Sequence, residues 1–236
     1  VMDFAKVFEK ATPLLWEGAA FTIKVSLISL LIGMFLGLIA CLMQLSKSKI
    51  LKALSGVYIW IIRGTPMMVQ AMLVYFGIPQ IANLIIKAMA DGGSFERFTL
   101  SPMSAAIITL SLNAGAYLAE IFRSGIQAVP KGQTEAARSL GLTKFKTMQK
   151  IVLPQAFKIV VPALVNQFII TIKDTSILSI IGLSEIVNKA GVYAGSTYQY
   201  FETYMYAALF YLVITSILMA VSKAIERRLN RGHKEQ

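Results

Sequence analysis

Charge is what this chain has least of. Asp, Glu, Lys and Arg make up 15% of its 236 residues, against about 25% in an ordinary soluble domain. That deficit excludes a solvated surface of normal extent. A lone cysteine, Cys41, sits in an apolar run, so no disulfide can form within the sequence and the redox compartment is unreadable. A lone histidine, His233, stands in the polar tail. The sequence therefore offers no His/Cys cluster to hold a metal and little for acid–base catalysis. H-E-x-x-H is missing, which argues against an intramembrane enzyme. G-x-x-x-x-G-K-[ST] is missing as well, so the chain cannot bind ATP by a P-loop. Any ATP-driven work must draw on a separate polypeptide. Internal repeats, low-complexity tracts and linkers are also wanting.

What the chain does have is apolar length. It is 56% hydrophobic, with a mean hydropathy of +0.65. Long uncharged runs predict an all-α integral membrane protein, one domain over residues 1–236. Five spans are expected, at about 18–45, 54–76 with Pro66 inside it, 102–122, 157–181 and 204–221. Each can cross a ~30 Å hydrocarbon core at ~1.5 Å per residue. Ser101 is placed to cap the third, with Pro102 at its first helical position. A weaker run at 78–90 reads as an outer interfacial segment. No secretory signal is expected, since the first apolar run, from about residue 25 to 45, is too long for a signal core. Val1 before Met2 leaves the upstream sequence open.

The net charge of +11 is segregated. Residues 46–52 carry +3, residues 123–158 carry +6 and residues 223–236 carry +3, leaving −1 for everything else. Basic chains often bind nucleic acid, but this pattern fits topology, and no nucleic-acid partner is expected. Positive loops stay in the cytosol. Five spans alternate correctly with all three basic segments when the N-terminus is outside and the C-terminus inside.

A few charges interrupt the apolar runs: Arg63, Glu120, Lys173 and Asp174. Each costs roughly 2.5–3.5 kcal/mol at mid-bilayer on insertion scales, so they should face a cavity or one another. Glu120 and Arg123, three apart, can pair. Arg63 suits a substrate carboxylate held bidentately, or else an interfacial anchor. Gln167 and Asp174 are two turns apart and share a face of the fourth span. Asn113 and Tyr117 give the third span a similar polar face. The other role open to Gln167 is an interhelical hydrogen bond, about 1–2 kcal/mol or less. Asp174 or Glu120 as an ionisable relay would suit a proton- or sodium-coupled secondary transporter. Five spans without a visible repeat argue against that alternative. Gly33 and Gly37 form a G-x-x-x-G pair, which lets helices approach closely, within one subunit or between two.

The most basic segment has its own architecture. Residues 133–140 can form a short helix, ended by Gly141 as a left-handed cap. Thr143 can cap the next helix, which carries Phe145, Met148 and Ile151 on one face and Lys146 and Lys150 on another. Pro154 limits its backbone bonding. Ala136 and Ala137 are small enough for a partner's groove to close over them. The other reading of this segment is an amphipathic helix lying on lipid headgroups.

Glu135-Ala136-Ala137, three residues, Gly141, nine residues, then Ile151-Val152-Leu153-Pro154 resembles the EAA coupling loop of permease subunits of bacterial ABC importers. Arg63-Gly64-Thr65-Pro66 followed by Gln70 is similar to a segment of the polar amino-acid permeases within that group. So is the run from Asn113 through Glu120 to Ile126, and so is Lys173-Asp174-Thr175-Ser176. The likeness covers nearly the whole chain and points to the glutamine/histidine/arginine-type branch of type I importers. It implies a multi-pass permease of the bacterial inner membrane, with the coupling loop at about 127–156 and Glu135, Ala136, Ala137 and Gly141 facing the ATPase. It implies ATPase subunits that hold ATP and Mg, a second permease copy, identical or paralogous, and an external binding protein or lipoprotein that delivers the amino acid. A substrate pathway is expected along Arg63, Thr65, Gln70, Asn113, Tyr117, Gln167 and Asp174. In related basic amino-acid permeases an acidic residue occupies the position matching Gln167. The amide here favours a neutral or differently charged polar amino acid.

Overall fold

Helix boundaries follow side-chain chemistry in this computed structural model, which describes residues 4–90 and 96–230. His233 and the end of the basic tail lie outside the described residues. The elements are α1 (Phe4–Leu45), α2 (Lys49–Gly64), α3 (Met67–Met89), α4 (Pro102–Gln127), α5 (Lys131–Ser139), α6 (Lys144–Ile181), α7 (Ile186–Thr197) and α8 (Tyr200–Asn230). No strand occurs among the described residues. Ser48 caps α2 by accepting from the Leu51 N–H at 3.4 Å, and Ser101 caps α4 by accepting from Ser104 at 3.0 Å. Gly182, at φ +83°, ends α6 in the left-handed conformation.

Five helices are long and apolar enough to cross a membrane: α1, α3, α4, α6 and α8. The second differs from the sequence expectation. The chain breaks at Thr65–Pro66, and the span is Met67–Met89. The run at 78–90 is therefore the second half of that span and not a separate interfacial segment. Proline causes the break twice over. It has no N–H to continue α2, and it pushes the residue before it out of the helical region. Thr65 is accordingly extended, at φ −120° and ψ 145°. Hydropathy alone carries no mark of this, because both sides of the break are apolar.

Two wide turns follow the same logic. Leu73–Gly77 in α3 and Met148–Val152 in α6 are π-helical. Their central residues, Tyr75 and Lys150, stand four positions before Pro79 and Pro154. A proline ring clashes with the carbonyl four residues back, and a widened turn moves that carbonyl aside.

The directions of the long helices can be read from their contacts. Gly33 meets Ala114 and Gly37 meets Leu118, so α1 and α4 run parallel. A Cβ on Gly37 would lie 2.8 Å from the Leu118 Cβ and 2.9 Å from the Gly115 carbonyl. The G-x-x-x-G pair thus packs within the subunit. Phe4, Phe8 and Trp16 stack on Phe201, Tyr206 and Phe210 in turn, which aligns α8 with α1. Leu164 and Phe168 pack beside Ile121, Phe122 and Leu118, and Val160 presses on Gly125, so α6 runs opposite to α4. Ala71 and Val74 sit with Ala105, Ala106 and Leu110, and Asn83 exchanges two hydrogen bonds with the Phe98 backbone, so α3 is also antiparallel. Helices one, three and five of the set point one way, and two and four the other. The basic segments 46–52 and 123–158 consequently share one end of the bundle.

Glu185 joins the other end. It is 0% exposed and caps α7, accepting from the Val187 and Asn188 N–H groups at 2.9 and 2.7 Å and from the Tyr211 hydroxyl at 2.7 Å. Burial pushes its carboxyl up, while those three donors pull it back.

Candidate functional site

A cavity of about 430 Å³ opens where the Pro66 break meets α4 and α6. The break itself supplies one wall: Ile62, Thr65, Pro66 and Met67. Asn113 and Tyr117, four apart on α4, supply the second. Gln167, Ile170, Asp174 and Ile177 supply the third, at helical spacings of three, four and three. Five of the expected pathway residues therefore meet in one place: Thr65, Asn113, Tyr117, Gln167 and Asp174. Gln167 is 4% exposed with its amide at the cavity wall. Among the described residues, Asp174 is the only charged side chain in the lining. The arrangement offers one carboxylate, two carboxamides and two hydroxyls inside an apolar frame. A carboxylate in such surroundings favours a cation or strong donors, and the amides can both donate and accept.

Two expected residues stand elsewhere. Gln70 does not line the cavity. Its Nε2 donates to the Ile62 carbonyl at 2.7 Å, the Thr65 carbonyl at 3.0 Å and the Thr65 Oγ1 at 2.8 Å. The two carbonyls are left free where Pro66 stops α2, and Gln70 satisfies them. Arg63 sits at the cavity edge, 5.0 Å above the Tyr117 ring, with its guanidinium 3.7 Å from Glu120. Glu120 also pairs with Arg123 at 2.8 Å. The expected Glu120–Arg123 pair is thus one half of a three-residue cluster, and Arg63 completes it. Lys173 and Asp174 part company: Lys173 lines a separate cavity with Tyr204 and Tyr211. The apolar wall residues Ile62, Met67, Ile170 and Ile177 are not singled out by the sequence. The i, i+3 and i+7 spacing from Gln167 and Ile170 would have found the last two.

At the basic end, α5 terminates in a double-bonded turn. The Leu142 N–H donates to the Ala137 carbonyl at 3.1 Å and the Gly141 N–H to the Arg138 carbonyl at 3.0 Å. This is a Schellman closure, and it requires the left-handed residue at its centre. Gly141 has φ +82°, while a Cβ there would meet open space. Its requirement is conformational and not steric. Thr143 caps the next helix by accepting from Lys146 at 3.3 Å. The two alanines differ from expectation. Ala136 is exposed, but Ala137 is buried against its own chain. Only the first can meet a partner. The π turn at Met148–Val152 also shifts the phase of the next helix. Phe145 is left 75% exposed, and Leu140, at the end of α5, is 81% exposed. Glu135, Arg138, Lys144 and Lys146 on the same segment are exposed as well. The outcome is a rigid helix–turn–helix with an apolar tip and a basic rim.

Residues 29–233 match the family described as binding-protein-dependent transport system inner membrane component. The chain belongs to this family. It is accordingly a multi-pass bacterial inner-membrane protein and a permease subunit. It is 37% identical over 228 residues to the arginine transport system permease protein ArtQ of Bacillus subtilis (strain 168), covering 97% of each chain. It is 35% identical over 219 residues to the glutamine transport system permease protein GlnP of Escherichia coli (strain K12), covering 93% of this chain and 94% of that one. Its fold superposes with TM-score 0.87, at 37% identity, on a chain of a crystal structure of an amino acid ABC transporter with histidines, covering 97% of this chain and 99% of that one. Nothing in these likenesses favours a proton- or sodium-coupled transporter.

Proposed function

We propose that this permease passes a polar, uncharged amino acid from an external binding protein or lipoprotein to the cytosol, driven by ATP hydrolysis on a separate subunit. The observation that carries this reading is the cavity. It brings Asp174, Gln167 and Asn113 into one space, and these groups complement an α-ammonium and an uncharged polar side chain. Arg63, tied to Glu120 at the cavity edge, is placed to meet an α-carboxylate if it releases that partner.

The basic end of the bundle faces the cytosol in this reading, with the N-terminus outside and the C-terminus inside. The tip formed by Leu140 and Phe145, with Glu135, Ala136 and the Gly141 turn, docks into a groove of the ATPase, which holds ATP and Mg. Being closed by two backbone bonds, the tip can transmit displacement to α4 and α6, the two helices that wall the cavity and that α5 connects. A second permease copy, identical or paralogous, completes the translocation unit. The test is affinity purification of the tagged chain from its native membrane, followed by ATPase assay in nanodiscs. A co-purifying ATPase stimulated by amino-acid-loaded binding protein is expected. A chain that purifies without any ATPase, yet transports, would overturn the reading.

A further inference from the structure

A second cleft, of about 420 Å³, lies at the basic end of the bundle. It is bounded by the end of α4, residues 155–162 of α6 and the last turns of α8. The transport pathway gives it no role. Its floor is fixed by packing: Val129, Val152 and Ala156 are buried together, with Ile126 against them. Gly125 permits this, because a Cβ there would run into the Val160 side chain.

Opposite charges face into the cleft from different helices, Lys158 from α6 and Glu226 from α8. Among the described residues neither has an ion-pair partner, and they do not pair with each other. The backbone adds acceptors. Pro162 also lines the cleft and has no N–H, so it leaves the Lys158 carbonyl without its helical partner. Ala128 and Val129 bring in the C-terminal end of α4, whose carbonyls carry the negative end of the helix dipole. Gln155 donates its Nε2 to the Ile151 carbonyl at 2.9 Å, which directs its amide within the same wall. The cleft thus has one cationic group and, apart from it, a set of acceptors that includes a carboxylate.

We infer that this cleft binds a zwitterion, with an anionic group against Lys158 and an ammonium group against Glu226. Two sources share that chemistry: the headgroup of an ethanolamine phospholipid and a free amino acid on the cytosolic side. Exposed Ile159 lines the cleft beside the headgroup position, where an acyl chain would run. A phosphatidylglycerol headgroup can set its phosphate against Lys158 but has no ammonium for Glu226, so it should be disfavoured.

The test uses the full-length protein, purified with its co-expressed partners into nanodiscs of equal phosphatidylethanolamine and phosphatidylglycerol. Tightly held lipid is counted by native mass spectrometry for wild type, Lys158→Ala, Glu226→Ala and the exchange Lys158→Glu with Glu226→Lys. A severalfold excess of phosphatidylethanolamine is expected in wild type. Either single variant should lose the excess, and the exchange should keep it, since a zwitterion can bind in either sense. In a second arm, an isotope-labelled mixture of L-amino acids is equilibrated with Asp174→Asn protein. Binding that survives this change but is lost with Lys158→Ala assigns the cleft to a free amino acid. The lipid arm holds whatever the chain transports, so its failure and that of the transport reading are separable. Equal retention of both lipids together with no Lys158-dependent amino-acid binding would overturn the inference.

Discussion

Gln167 and Asp174 carry the selectivity argument at the scale of single residues. Their shared helical face was legible from spacing alone, because both lie on one uninterrupted stretch of α6. Gln167→Glu places a carboxylate where the cavity now has an amide, and uptake should shift towards basic amino acids. Asp174→Asn removes the only charge that the described residues bring to the lining. A charge-assisted hydrogen bond is worth about 1.5–3 kcal/mol, so uptake of all substrates should fall by about tenfold or more. Competition-based uptake in proteoliposomes, with wild-type partners held constant, reads both effects. Two variants that behave like wild type would move selectivity onto the binding protein. Arg63 and Gln70 show where such reasoning stops. Glu120 is 57 positions from Arg63, and no periodicity links them. The role of Gln70 depends on carbonyls freed by a break that only the fold displays.

Elements were legible where a local rule fixes their ends and obscured where only hydropathy marks them. The caps at Ser101 and Thr143 and the turn at Gly141 followed from side-chain chemistry. The division of α2 from α3 did not, because apolar residues continue on both sides of Pro66. The long helices also outrun their apolar stretches: α1 spans 42 residues where the sequence suggested a start near residue 18. Gly141→Asp tests the α5 turn. An L-residue at φ +82° is strained even in open space, and the new charge stands beside the tip. The permease should still insert, while substrate-stimulated ATP hydrolysis falls; normal stimulation would count against the docking assignment. Gly37→Leu tests the α1–α4 contact. The added atoms have no room beside Leu118 and the Gly115 carbonyl, and overpacking of this kind costs about 1–3 kcal/mol. A lowered melting temperature for the purified variant is expected, and an unchanged one would mean the helices are not so close.

At the scale of the whole molecule, the charge pattern and the helix directions agree. α1, α4 and α8 run one way, and α3 and α6 the other. Alternation is therefore readable from the basic segments, although the second span lies about a dozen residues beyond where hydropathy places it. Absolute orientation rests on the positive-inside rule. In a Cys41→Ser background, cysteines at Ser48 and Gly232 should resist a membrane-impermeant thiol reagent in intact cells, and rapid labelling of either would reverse the assignment. The central claim is that ATP, spent on another subunit, moves an amino acid through this one. Its most direct test is uptake of a labelled polar amino acid into proteoliposomes that hold the permease with its ATPase, with binding protein outside. Uptake that requires internal ATP and is indifferent to ionophores collapsing proton and sodium gradients is the predicted result. Uptake that continues without ATP and stops when those gradients are collapsed would contradict it.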